Sequence, residues 1–464
     1  MNKILNFINR FGVYILAFVL PLQTRYIYSL GFLREQVWEY STISIFVVEV
    51  FITILIFLAL LYKIFNHDED LKVRNRRMLN IEVLGVIFLT VVFVSVFFAD
   101  NVQVALMGFI RLLIGVGLAF LLLTAKFSLH KFAQIFLFSG VLQSIFGIYQ
   151  FYSQKVFAST LLGVSEKMPW ISGISVIKTV DERFLRAYGT LPHPNILAAF
   201  LVTALVVCFG LIFTYRSNRE KFFIYISSII ISAGLFYTFS RTGYLVLLVS
   251  LIIIALYLFA NKNKGLLIYF WNICGLILLI SLLLSIIHKD IVVQRFSPES
   301  VVSSQSVSDR VELANIARKD LELNWRRGVG IGNYTLGVNQ KHPEISIESL
   351  QPVHNIYLLI LNELGIGGFA ILIMFIYEVI QKIIKLRVTY TAELLAEFEK
   401  YQTADLYEGD YAYTTHWYVC LSSILVGLFV WGMFDHFFWT LSFGILLFFT
   451  IFGLWLKQFS RLKR

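Results

Sequence analysis

The stretch Leu245-Val-Leu-Leu-Val-Ser-Leu-Ile-Ile-Ile-Ala-Leu-Tyr-Leu258 holds one serine and one tyrosine in an otherwise aliphatic run. A strand of a membrane barrel would alternate polar and apolar residues, and this run does not, so it reads as a helix apolar on every side. The span around it, 243–260, approaches the roughly 20 residues needed to cross a hydrocarbon core about 30 Å thick. Working outward, the same pattern recurs near 11–30, 43–64, 81–98, 103–124, 132–152, 195–214 and 222–239 before it. After it come 266–287, 355–380, 414–434 and 438–456. The chain is therefore read as an all-α integral membrane protein with about 12 transmembrane helices.

Composition agrees. Hydrophobic residues make up 58% of the chain and charged residues 15%, against about 45–50% and about 25% in a soluble domain. The first apolar run has no small-residue cleavage site after it, so it is kept as a helix rather than a signal peptide. Cys208, Cys274 and Cys420 all fall inside apolar segments and suggest neither a disulfide framework nor a metal cluster. The net charge of +10 would suggest nucleic acid in a soluble protein. Here it is a topology signal, and no nucleic-acid partner is expected.

Lys72, Arg74, Arg76 and Arg77, then Arg216, Arg219 and Lys221, then Lys382, Lys385 and Arg387 lie in alternate connections. Basic residues in short loops resist translocation, so these connections and both termini are expected in the cytoplasm. Two long connections, about 153–194 and about 288–354, then face outward. The segment 388–413, with Glu393, Glu397, Glu399, Asp405 and Asp410, reads as an interfacial helix plus loop.

No HExxH, no CxxC and no glycine-rich loop followed by Lys and Ser/Thr occurs. Asp68-Glu69-Asp70 lies among basic residues in an expected cytoplasmic loop and reads as a solvated charge run. No cofactor and no metal-ligand set is expected. Instead, polar clusters stand at the outer ends of spans that run inward, which are helix N-termini. Arg186-Ala-Tyr-Gly-Thr-Leu-Pro-His193-Pro-Asn195 precedes the span at 195–214, with Asn195 as its expected N-cap. Ser240 caps the next inward span and sets Arg241 in its first turn. A snorkelling arginine is the plain alternative, but a cation at a positive helix end is unfavourable unless an anion binds beside it.

The outer loop continues through Asp309-Arg310 and Gly328-Val-Gly-Ile-Gly332-Asn-Tyr334 to His354-Asn355. Its glycines could bring backbone N–H groups to a ligand, although no nucleotide fingerprint is present. His354 stands one residue before Asn355, which can cap the span at 355–380. The positive end of that helix favours the neutral imidazole that a general base needs. Arg111 and Glu49 are charges inside spans, where a charge is usually partnered or functional. Asp435-His436 lies at an outer turn among aromatics. Asp435 could orient another group, and His436 is read as part of the interfacial belt.

Taken in order, Arg186, Gly189-Thr190, His193-Pro194-Asn195, Ser240-Arg241, Asp309-Arg310, the glycine-rich loop, His354-Asn355 with Glu363-Leu-Gly365, and Asp435-His-Phe-Phe-Trp-Thr440 resemble the O-antigen ligase and polymerase superfamily of bacterial membrane glycosyltransferases. The motifs cover about 186–440. The resemblance implies a GT-C-like membrane glycosyltransferase architecture with a long external loop before the tenth span. It divides the chain into N-terminal helices with the first external loop (1–185), a catalytic region (186–440) containing the loop 288–354, and a last helix with a basic tail (441–464).

The implied activity is metal-independent, inverting transfer of a glycan from a polyprenyl (undecaprenyl) diphosphate carrier to a hydroxyl acceptor, on the outer face of the cytoplasmic membrane. The acceptor would be a glycan, a lipid or a protein, and membrane lipids surround the chain. His354 matches the family's base, and Arg241 and Arg310 match its diphosphate-binding arginines. Arg186, His193, Asn195, Asn355 and Asp435 are implied substrate-side residues. A polymerase of the same superfamily, or in a different class a lipid-linked glycan flippase, remain alternatives.

Overall fold

The computed structural model describes residues 2–66, 79–179, 182–214, 217–296, 301–345, 347, 350–398 and 411–462. Asp68-Glu69-Asp70 and most of the acidic part of 388–413 lie outside them, as does the side chain of Asp309.

The helices are α1 (Asn2–Val19), α2 (Val47–Asn66), α3 (Leu79–Val96), α4 (Val102–Thr124), α5 (Leu129–Ser153), α6 (Pro194–Thr214), α7 (Asn218–Thr238) and α8 (Arg241–Ala260). They continue with α9 (Lys264–Ile287), α10 (Lys289–Phe296), α11 (Val301–Asn324), α12 (Tyr334–Lys341), α13 (Ile356–Phe398), α14 (Tyr411–Trp431), α15 (Phe437–Thr440) and α16 (Ser442–Arg461). Among the described residues ten are long and apolar enough to cross a membrane, and Phe7–Val19 and Asn80–Val96 are shorter apolar helices. Together they account for the twelve spans read from hydropathy. This is an all-α integral membrane protein.

The strands are confined to small hairpins in the connections. β1 (Arg25–Ser29) pairs antiparallel with β4 (Ile43–Phe46), enclosing the short pair β2 (Phe32–Leu33) and β3 (Gln36–Val37). β5 (Val176–Lys178) pairs with β6 (Arg183–Leu185) ahead of α6. The expected first span at 11–30 is therefore corrected. Its helix stops at Val19, two residues before Pro21, because a residue preceding proline is pushed out of the helical region. The β-branched and aromatic residues that follow join a strand instead. For the same reason the second span begins at Val47, since 43–46 is β4.

All 21 residues of α6 are buried. A helix apolar all round belongs in an interior, and α5, α7, α8, α9 and α14 surround this one. Lipid offers little hydrophobic drive between helices, so close approach of small residues has to serve. Gly453 of α16 shows it: a Cβ there would stand 2.7 Å from the Cα of Ala119 in α4. The wholly enclosed α6 begins immediately after His193, so the polar segment 186–195 is attached to the most enclosed span of the bundle.

Candidate functional site

Two buried glutamines of α5 hold the segment before α6. Gln150 accepts from the backbone N–H groups of Tyr188 and Gly189 at 3.0 and 2.9 Å, and Gln143 accepts from that of Thr190 at 2.8 Å. Gly189 has φ +59°, and a Cβ there would lie 2.4 Å from Gln143 Oε1, so only glycine fits. Neither glutamine was picked out from the sequence. Their signal was available: they are polar, inside an apolar span, and seven residues apart on one helix face.

Asn195 is not the N-cap of α6, which begins one residue earlier at Pro194. The His193 ring performs that task, its Nδ1 accepting from the Asn195 backbone N–H at 3.1 Å. Burial, then the nearby Arg186 charge, lowers the His193 pKa to about 3. The ring is therefore neutral near pH 7, and because Nδ1 accepts, its proton is on Nε2.

Freed from capping, the Asn195 side chain becomes a connector. Arg186 Nη2 donates to Asn195 Oδ1 at 3.0 Å, and Asn195 Nδ2 donates to Asp435 Oδ2 at 3.3 Å. The other Asp435 oxygen accepts from the His436 backbone N–H at 2.8 Å and faces His354 Nδ1 at 3.6 Å. That last separation exceeds a normal hydrogen bond, and His354 Nδ1 makes no hydrogen bond among the described residues. Burial alone would raise the Asp435 pKa. The facing His354 imidazole, with His436 and His193, holds the carboxyl well below the usual carboxylate range.

His354 and Asp435 are 81 residues apart in sequence, and backbone clasps bring them together. Ile356 N donates to Gly432 O at 2.8 Å, and Asn355 Nδ2 to Met433 O at 3.3 Å. Asn355 caps α13 as expected, its Oδ1 accepting from Leu358 N at 3.0 Å. Ser240 caps α8 through Gly243 N at 3.3 Å. His436, read from the sequence as belt, belongs to the cluster: its ring centroid lies 5.2 Å from that of His354 and its Nδ1 is 2.8 Å from Thr440 Oγ1. Burial lowers its pKa to about 4.

The glycine-rich loop has a structural role in place of the ligand contact considered above. Gly328, Gly330 and Gly332 all have positive φ. Val329 N donates to Asn362 O at 3.0 Å and Gly330 N to Glu363 O at 2.8 Å, where Gly365, with φ 68° and ψ −174°, interrupts α13. The N–H groups of Gly332 and Tyr334 reach the Glu363 carboxylate, which also accepts from Trp439 Nε1 at 2.6 Å. These amides are spent on knotting the loop to the helix break. Arg111 is likewise partnered, with Nε 3.2 Å from Glu49 Oε1 and Nη2 2.8 Å from Ser44 O.

A cluster of arginines forms around the α7–α8 turn. Arg186 donates from Nε to Thr238 O at 2.7 Å and from Nη1 to Ser175 Oγ at 2.7 Å. Burial, then the charges of Arg295, Arg310 and Arg241, push its pKa well below the ordinary value. Arg310 is also within electrostatic reach of His193 and His436. Among the described residues, none of Arg186, Arg295 or Arg310 is ion-paired. Arg295, on α10, was missed in the sequence because nothing local marks a basic residue in a short connecting helix.

His354 also lines a cavity of about 550 Å³. His193, His354, Asp435 and His436 form part of its wall, and the arginine cluster does not line it. Its wall also includes residues of β1, β4 and the 163–167 loop, with Val104, Met107 and Gly108 of α4 and Ile445 of α16. His354, Asp435 and His436 offer three donor atoms within 4.8 Å of one another and so could hold a metal ion. No such set was visible in the sequence, because one ligand comes from before α13 and two from after α14.

No curated protein matches the chain. Residues 226–373 match the family model described as O-Antigen ligase, a stretch that contains Arg241, Arg295, Arg310, His354 and Asn355 but not Arg186, His193, Asn195 or Asp435. The resemblance to the O-antigen ligase superfamily read from the motifs is borne out over residues 226–373.

Proposed function

We propose that the protein transfers a glycan from a polyprenyl diphosphate carrier to a hydroxyl acceptor on the outer face of the cytoplasmic membrane, with inversion at the anomeric carbon. The observation that carries this reading is the buried chain from Arg186 through Asn195 to Asp435, which ends facing His354. It sets a base beside a cation cluster suited to a diphosphate. The side chain of His354 is 24% exposed and that of Asp435 10%, so the imidazole can meet substrate while the carboxylate holds it. With Nδ1–H turned toward Asp435, Nε2 is left to take the acceptor proton.

The acceptor oxygen forms the new bond to the anomeric carbon as the bond to the diphosphate oxygen breaks. The proton passes to His354, and the electron pair leaves with the lipid diphosphate. Arg241 and Arg310 receive that charge, since fixed guanidinium groups stabilise it most where it develops. The acceptor enters through the cavity. In support, Arg25 and Arg111 in the cavity wall are paired with Glu39 and Glu49, Lys167 is turned onto Ser165 and the Tyr188 ring, and the rest of the lining offers hydroxyl, amide and aromatic groups to a sugar.

The flippase reading is weakened by the helix break at Gly365. An interrupted helix in a transporter leaves backbone groups for an ion or substrate, whereas Asn362 O and Glu363 O at this break accept from Val329 N and Gly330 N. The test is purified protein in sided vesicles, given lipid-linked oligosaccharide and candidate acceptors, with products read by mass. The proposal expects glycosylated acceptor when both substrates are on the outer side. Carrier-lipid translocation without any covalent product would overturn it.

A further inference from the structure

Two guanidinium groups sit on consecutive carbonyls at the end of α7. Arg186 Nε donates to Thr238 O, and Arg295 Nε donates to Phe239 O at 3.0 Å. Phe239 takes the left-handed conformation, φ 47° and ψ 37°, unusual for a bulky residue, and leads directly into Ser240 and Arg241. The negative end of α7 favours cations, which accounts for two arginines gathering where, among the described residues, no carboxylate pairs with them.

The two arginines are used differently. Arg186 spends three nitrogens on Thr238, Ser175 and Asn195. Arg295 spends only Nε, and its Nη1 and Nη2 make no hydrogen bond among the described residues. A residue needed only to cap α7 would require no second and third donor. Arg295 is also held in place, because α10 packs against β5 and α9. Burial, then the charges of Arg241 and Arg310, lowers its pKa to about 10, so it stays cationic at neutral pH in reach of both.

We propose that Arg295 is a third donor-binding cation, which with Arg241 and Arg310 makes the site selective for a lipid diphosphate over a lipid monophosphate. This rests on the transfer reading above. A glycosyl lipid diphosphate carries about two negative charges, and breakage of the bond to the sugar exposes a terminal phosphate whose second ionisation lies near pH 6, bringing the total toward about three. Three guanidinium groups match the charge of the leaving lipid, and Arg186 supports the group without spending itself on phosphate.

The experiment measures binding of sugar-free polyprenyl diphosphate and polyprenyl monophosphate to the full chain in nanodiscs, for wild type, Arg295→Gln and Arg295→Lys, with melting temperatures alongside. Wild type should prefer the diphosphate. Arg295→Gln should lose roughly 10- to 100-fold in diphosphate affinity, the worth of a hydrogen bond to a charged group, with monophosphate affinity little changed. Arg295→Lys keeps the charge on a single donor nitrogen but not the fork, so it should fall between them. It also serves if the Gln variant does not fold. Wild-type diphosphate selectivity in both variants, or an equal loss for both lipids accompanied by a lower melting temperature, would make Arg295 a helix cap and overturn the proposal alone. A wild type that binds neither lipid would remove the transfer reading and this proposal together.

Discussion

The cavity wall and the α7–α8 turn treat their arginines in opposite ways. On the cavity side Arg25 and Arg111 each meet a carboxylate. On the α7–α8 side Arg186 and Arg295 are met by carbonyls, a hydroxyl and an amide. An arginine paired with an acid is electrically complete, whereas one held by neutral oxygens leaves its charge available to a ligand. The contrast assigns a direction to the site, with an anion expected among the arginines and an uncharged, hydroxylated molecule in the cavity.

The sharpest way to break the comparison is to remove cations from the α7–α8 side. Arg241→Ala and Arg310→Ala should each lower transfer by about 10²–10³-fold and weaken donor binding too, because the contact exists before the bond breaks and strengthens as it does. Lysine at either position should restore only part of the loss. Single-turnover assays with titrated donor would show this, and unchanged donor affinity in both variants would contradict it.

Asp435→Asn should have the next largest effect, roughly 10–100-fold, expressed in turnover rather than in donor affinity. The amide keeps the shape but loses the charge that faces His354 and the capacity to accept on both oxygens, from Asn195 and His436. A wild-type turnover number in this variant would show that the Arg186–Asn195–Asp435 chain is scaffold only.

Stability should follow the two histidines held neutral. His193 and His436 have pKa values lowered to about 3 and about 4, first by burial, while an unfolded histidine titrates near 6.5. Below about pH 6.5 the unfolded chain binds protons that the folded one refuses. Each histidine therefore costs about 1.4 kcal/mol per pH unit down to its folded pKa, and nothing above pH 6.5. The melting temperature in detergent should fall from pH 7 to pH 5, and His436→Asn should flatten part of that slope. A melting temperature constant over this range would contradict the assigned burial.

The smallest expected effect is none. Although His354, Asp435 and His436 could hold an ion, the base role requires the His354 imidazole to be free, so transfer should survive EDTA. Loss of turnover in chelator, restored by a divalent cation, would move His354 from base to ligand and remove the basis of the two-sided site.

The spans were legible in the sequence because hydropathy is local, and errors came where a local signal met a distant partner. Residues 26–30 continue an apolar run, but Ile43–Phe46 was waiting to pair with them. Ser240 and Asn355 could be read as caps because capping is a matter of three residues. Asn195 could not, because its partners, Arg186 and Asp435, lie in different elements. The glycine-rich loop looked like a ligand cradle until Glu363 and the break at Gly365 supplied the partners of its amides. Arg295 and His436 carry no motif of their own and gain meaning only from what the fold sets beside them.

The most direct test of the two-sided site is the behaviour of His354→Ala in paired measurements, donor binding and single-turnover transfer, on protein whose folding is checked by size exclusion. Removal of the base should lower transfer by roughly 10²–10⁴-fold while the lipid diphosphate binds nearly as tightly as before, because its contacts are on the arginine side. Loss of donor binding in His354→Ala, with Arg241→Ala and Arg310→Ala transferring glycan at the wild-type rate, would contradict the account and leave the arginines as interfacial anchors.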